Sequence, residues 1–172
     1  MDLSIFLNKS LGKAQLSPRQ ILTDPVMLLA FGFGSGLSKY APGTMGTLVA
    51  VPLYLLLIKA GFVVFLAVTL STCLLGIWIC SIAANRLGEH DFSGIVWDEV
   101  AGYLVTMSFV PFSWPAVAFG FVLFRFFDIV KPWPIKWLDR HISGGIGIMI
   151  DDIVAGIVAG AILLGISHWD ML

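Results

Sequence analysis

Residues 100–124, VAGYLVTMSFVPFSWPAVAFGFVLF, form an uncharged run of 25 residues whose reading decides the fold. As one helix the run would cross a bilayer and put Asp98 and Arg125 on opposite sides. But PFSWP occupies positions 111–115, and two prolines so close favour a turn over a kink. Split there, the run becomes two helices of roughly 18 and roughly 21 Å at 1.5 Å per residue. Each falls short of the ~30 Å hydrocarbon core, so the hairpin either thins the bilayer or does not fully cross it.

Charge distribution favours the hairpin. It gathers Lys9, Lys13, Arg19, Lys39, Arg86, Arg125, Lys131, Lys136 and Arg140 on one side and leaves only Lys59 on the other. A single helix would divide these cations. An excess of Lys and Arg marks the cytoplasmic side, so the charged face is expected to be cytoplasmic.

Composition sets the class. The chain is 58% hydrophobic and 12% charged, with a mean hydropathy of +0.94. That leaves too little polar surface to cover a globule in water. The prediction is an all-α, polytopic membrane bundle of about five membrane helices, counting the short Pro-turned hairpin as two. The other uncharged runs are 25–38, 40–58, 60–84 and 153–169. The first ends in Gly, Ser and Pro and reads as a short helix or re-entrant piece. The second becomes helical near Thr44 and is expected to bend at Pro52. The last helix runs from about Ile148 to Ser167 and carries Gly156 and Gly160, a spacing that lets helix backbones approach closely in lipid. Residues 1–23 read as a cytoplasmic lead, not a signal peptide, and 24–172 as a single membrane domain.

A net charge of −1 and the lack of a basic stripe with interleaved aromatics give no sign of a nucleic-acid partner, and none is expected. Cys73 and Cys80 would lie about 10 Å apart along a helix, too far to bridge, and read as packing residues.

With this topology four segments meet at the cytoplasmic boundary: 32–47, 88–102, 125–140 and 144–156. They hold Glu89, Asp91, Asp98, Glu99, Asp128, Asp139, Asp151 and Asp152, eight of the chain's eleven acidic residues. Glu89, Asp91 and Asp139 read as water-facing loop charges. The rest abut apolar helical sequence, where an ionised carboxylate costs several kcal/mol unless paired or metal-bound. One acid at each helix N-terminus would gain ~0.3–1 kcal/mol from the dipole. Two adjacent acids, twice, exceed that need. A hard divalent cation among Asp98, Glu99, Asp128, Asp151 and Asp152 is the economical answer, and oxygen ligands suit Mg²⁺. His90, His141 and His168 have no zinc-site spacing.

Arg125, Asp128 and Lys131 recur at i, i+3 and i+6. They form either an intrahelical ion-pair ladder or a phosphate clamp beside a metal ligand. Gly32–Gly36 offers backbone N–H groups for an anion, although it is not a P-loop. Metal, cations and a membrane boundary together point to a phosphorylated lipid headgroup.

The segments GSGLSKYAPGTMGTL, IVWDEVAG, FRFFDIVKPWPI and GGIGIMIDDIVAG resemble, in this order, the signature blocks of bacterial phosphatidylglycerophosphatase A. The resemblance covers about Leu28 to Gly160. It implies a Mg²⁺-dependent, multi-pass enzyme of the bacterial inner membrane with its active site facing the cytoplasm. Such an enzyme hydrolyses phosphatidylglycerophosphate to phosphatidylglycerol and phosphate, the last step of that lipid's synthesis. On this reading Asp98, Glu99, Asp128 and Asp152 are catalytic, and together with Asp151 they hold the metal. Arg125, Lys131, Lys39, Ser35, Gly36 and Thr44 bind the substrate phosphate. Which carboxylate acts as base stays open. No DxDx[TV] sequence for an aspartyl-phosphate exists, so water is the expected nucleophile. A membrane transporter would put its acids near the midplane. Another phospholipid phosphoryl-transfer enzyme of the CDP-alcohol type would need a DGxxAR helix, which is absent.

Overall fold

The chain turns at PFSWP. In the computed structural model, which describes residues 16–89 and 92–168, α5 (Trp97–Met107) stops before this segment and α6 (Trp114–Val130) starts within it. Ser113 caps α6 by accepting a hydrogen bond from the Ala116 N–H at 3.1 Å. Pro115 sits in the first turn, where its missing N–H costs nothing. The two helices pack together, and Asp98 at the start of α5 and Asp128 near the end of α6 line one cavity. The run is a hairpin.

Among the described residues every regular element is helical. Before the hairpin come α1 (Pro18–Thr23), α2 (Pro25–Ala30), a 3₁₀ segment (Gly32–Leu37), α3 (Pro42–Lys59) and α4 (Phe62–Leu87). After it come α7 (Ile135–His141) and α8 (Gly144–Ser167). Of these, α3, α4 and α8 are long and apolar enough to cross a membrane. At 11 and 17 residues, α5 and α6 are shorter than the ~20 that a span needs. The structure therefore supports three crossing helices where about five membrane helices were expected. Along α4, Val63, Leu66, Leu70, Leu74 and Trp78 form an exposed apolar stripe at helical spacing. Water does not tolerate such a face and lipid does, so the chain is membrane-associated.

Helix α8 is the centre of the bundle and packs against α4, α5, α6 and α7. Its apolar window is 56% buried, against 28% for α3 and for α4. Glycine makes this possible. A Cβ on Gly156 would overlap the Gly102 carbonyl of α5, and one on Gly145 would overlap the Ile77 carbonyl of α4. At the α5–α8 crossing, Thr106 Oγ1 donates to the Gly102 carbonyl at 3.0 Å and approaches the Gly156 carbonyl at 3.3 Å. The expected close packing around Gly156 and Gly160 is present, with Gly160 against the Phe109 ring. Cys80 is buried, its Sγ 3.8 Å from Met149 Sδ, and both cysteines are free.

Two boundaries differ from the expectation. Helix α3 starts at Pro42, two residues before Thr44, and continues through Pro52. Helix α8 starts at Gly144, not near Ile148, which puts Asp151 and Asp152 about two turns inside it. At the N-terminal end, Ser17 and Gln20 form a capping box, and α1 buries Ile21 as it packs on α2. The lead before residue 16, with Lys9 and Lys13, lies outside the described residues, as do His90 and Asp91.

Candidate active site

A cavity of about 410 Å³ opens where the start of α3, the start of α5, the end of α6, α7 and the first turns of α8 converge. The hairpin brings Asp98 and Glu99 back beside Asp128, although 28 residues separate Asp128 from Glu99 and a turn lies between. Asp98 and Glu99 occupy the first turn of α5, where the helix dipole favours anions, and Asp98 Oδ1 accepts the Glu99 N–H at 3.1 Å. Asp151 and Asp152 have no such excuse. They sit well inside α8 and are 5% and 3% exposed.

The five carboxylates divide into three groups. Ligand oxygens of Asp98, Glu99 and Asp152 lie within 4.8 Å of one another. Asp128 is ion-paired with Arg125 one turn earlier on α6. Asp151 accepts from Lys131 Nζ at 2.5 Å. Arg125 also reaches across the cavity, with Nη1 3.7 Å from Glu99 Oε1 and 3.5 Å from Thr47 Oγ1 on α3.

Lys131 does not extend the Arg125–Asp128 ladder. It caps α6 in the left-handed region, with φ at 45°, an unfavourable conformation for a non-glycine residue. The turn points its ammonium away from the helix face toward Asp139 Oδ1 of α7 at 2.6 Å and toward Asp151 of α8. Burial disfavours the charge on Lys131, but the hydrogen bonds and charges of Asp139 and Asp151 outweigh it, so its pKa is raised and it stays protonated. Lys131→Met is expected to leave Asp151 without a counter-ion and to destabilise the protein by roughly 2 kcal/mol, discounted for partial exposure. Denaturation in detergent checks this, and Asp151→Asn in the same background should restore most of the loss.

Several buried polar atoms in the cavity lack a hydrogen-bond partner. They are Glu99 Oε2, Asp151 Oδ1, Asp152 Oδ2 and Arg125 Nε. Buried carboxylate oxygens left without donors are costly in a protein interior. Three clustered carboxylates with two orphaned oxygens fit a hard cation, and the all-oxygen donor set suits Mg²⁺.

All seven residues expected from the acidic and basic blocks line this cavity: Asp98, Glu99, Asp128, Asp151, Asp152, Arg125 and Lys131. The four expected from the glycine-rich block do not. The N–H groups of Gly34 and Gly36 both donate to the Phe31 carbonyl, at 2.9 and 3.0 Å, so they are not offered to an anion. Ser35 Oγ lies 3.5 Å from the same carbonyl, and Gly36 is buried against the Gly94 carbonyl. Lys39 is exposed, its Nζ 5.4 Å from the centre of the Tyr40 ring. Thr44 is in the first turn of α3, beside the lining but not in it. In their place α3 contributes Ala41, Pro42 and Gly43, and α7 contributes Asp139. Asp139 reads as a solvated loop charge in the sequence because the turn that points Lys131 at it is a tertiary feature.

A profile of the family Phosphatidylglycerophosphatase A matches residues 28–167. A phosphatidylglycerophosphatase A of Escherichia coli (strain K12) is 44% identical over 162 residues, covering 94% of this chain and 92% of the relative. One from Haemophilus influenzae is 43% identical over 150 residues, covering 86% and 92%. No solved structure matches the chain. With the family's profile spanning α3 to α8 and both pairs of acids, the chain belongs to the phosphatidylglycerophosphatase A family.

Proposed function

We propose that the chain hydrolyses phosphatidylglycerophosphate to phosphatidylglycerol and inorganic phosphate. The family membership supports the substrate. The observation that carries the chemistry is that Arg125 and Lys131 line the same cavity as the Asp98, Glu99 and Asp152 triad. A phosphate monoester beside a divalent cation needs both kinds of group. Water attacks the terminal phosphorus, the bond to the glycerol oxygen breaks, and that oxygen leaves as an alcohol.

Asp98, Glu99 and Asp152 would hold Mg²⁺. When bound, the cation withdraws charge from phosphoryl oxygens and lowers the pKa of water. Arg125 and Lys131 neutralise the remaining phosphoryl charge, as phosphoryl transfer requires. Asp128 and Asp151 fix those two cations in place through their ion pairs, so they position the phosphate-binding groups more directly than they hold metal.

The same reading places the hairpin of α5 and α6 in the membrane beside the three longer helices, with the cavity at the cytoplasmic face of the bacterial inner membrane. Arg125 and Lys131 line the cavity at the end of the bundle where α3 begins, whereas Lys59 ends α3 at its other terminus, which supports this orientation. A site at one end of the bundle argues against a transporter.

Purified protein in detergent is expected to release inorganic phosphate from phosphatidylglycerophosphate with Mg²⁺. Excess EDTA should lower the rate at least about 100-fold, and added Mg²⁺ should restore it. Phosphate release that is unchanged by EDTA would sink the metal assignment. No release under any condition would sink the activity.

A further inference from the structure

We propose that Gly43 is a positioning residue for Glu99, its bare Cα seating one Glu99 oxygen at the start of α3 so that the other faces Asp98 and Asp152. The inference rests on the reading of that triad as a divalent-cation site. Gly43 is buried in the first turn of α3, and its backbone is ordinary right-handed helix. Alanine would therefore suit the backbone better than glycine does. The reason for glycine is space. A Cβ at this position would overlap Glu99 Oε1 and lie 3.1 Å from both terminal nitrogens of Arg125.

The start of α3 suits a carboxylate. Its N-cap residue, Ala41, provides no side-chain hydrogen bond, and Pro42 follows. The first-turn N–H groups carry the positive end of the helix dipole. Arg125 Nη1 faces the same oxygen from 3.7 Å. Oε1 of Glu99 thus lies against the bare Cα of Gly43 and beside Arg125, while Oε2 is buried without a hydrogen-bond partner. A second orphaned oxygen, Asp152 Oδ2, belongs to a side chain only 3% exposed in the same triad. A ligand whose far oxygen is anchored presents its near oxygen in one direction, as supporting contacts around metal ligands generally do.

The test is Mn²⁺ binding, read from the free-ion electron paramagnetic resonance signal of detergent-purified protein without any lipid substrate. Gly43→Ala is expected to weaken Mn²⁺ binding about tenfold or more. Adding Glu99→Gln to it should cause little further loss, because both act through one oxygen pair. Glu99→Asp shortens the side chain by a methylene and should recover part of the affinity in the Gly43→Ala background. If Gly43→Ala alone does not fold, the Gly43→Ala/Glu99→Asp double variant is read instead, and it should fold and bind Mn²⁺. Binding by Gly43→Ala within twofold of wild type overturns the proposal, as does failure of the double variant to fold or to recover affinity. A raised KM for the lipid with unchanged Mn²⁺ binding also overturns it, since Gly43 would then face the phosphate. Absence of Mn²⁺ binding by the wild type overturns the cation reading itself.

Discussion

Asp152→Asn is expected to lower phosphate release by roughly 10³-fold while making the metal-free protein more stable, not less. Asp152 is 3% exposed, one of its oxygens has no partner, and it shares a small volume with Asp98 and Glu99. Without a cation, each buried carboxylate there suffers desolvation and repulsion from its neighbours. Asparagine keeps the shape, removes the charge and brings its own donors for the orphaned acceptors. The gain is on the order of 2 kcal/mol in EDTA. Saturating Mg²⁺ should reverse the order, because wild type then gains binding free energy that the variant has largely lost. Melting in detergent with EDTA and with Mg²⁺, beside phosphate-release rates, checks both parts. A variant that is less stable than wild type in EDTA and equally responsive to Mg²⁺ would show that Asp152 is an ordinary structural acid.

Gly156→Ala tests the scaffold in the same helix. The added methyl meets the Gly102 carbonyl, which is backbone and cannot rotate away, so α5 and α8 must separate. Overpacking of this kind costs about 3 kcal/mol. Asp152 lies one turn before Gly156, so the displacement moves it relative to Asp98. A shift near 1 Å is enough to lower the rate about 100-fold in whatever fraction stays folded. Gly165→Ala is the matched control. Nothing lies within 4 Å of a Cβ there, and alanine in an open helical position gains up to about 1 kcal/mol. Opposite signs at two glycines nine residues apart would tie the cost to the crossing. Equal effects at both would remove the crossing from the explanation.

How much was legible in the sequence depends on the range of the cause. The hairpin was legible because two prolines act locally: one chain segment cannot stay helical through 111–115. The carboxylate pairs were legible because charge inside apolar sequence is costly wherever it folds. The glycine-rich loop was misleading. Its composition suits an anion cradle, but where its N–H groups point depends on the turn after α2, and those of Gly34 and Gly36 turn inward to the Phe31 carbonyl. The start of α8 was placed too late because Gly144–Gly147 has little helical propensity of its own. Packing against α4, with Gly145 on the Ile77 carbonyl, carries the helix back to Gly144.

By itself, then, the sequence determined the membrane character, the hairpin, and the set of acids and cations that meet in one cavity. These follow from solvation cost and backbone sterics, which act over a few residues. Only the tertiary structure decided which acid faces which partner. Asp98, Glu99 and Asp152 converge, Asp128 is tied to Arg125, and Lys131 turns out of its helix to join Asp139 and Asp151. The physical reason is that side-chain direction depends on helix crossing and on a single left-handed residue. Neither leaves a local trace, and glycine contacts such as Gly156 on Gly102 fix both to within an ångström or so.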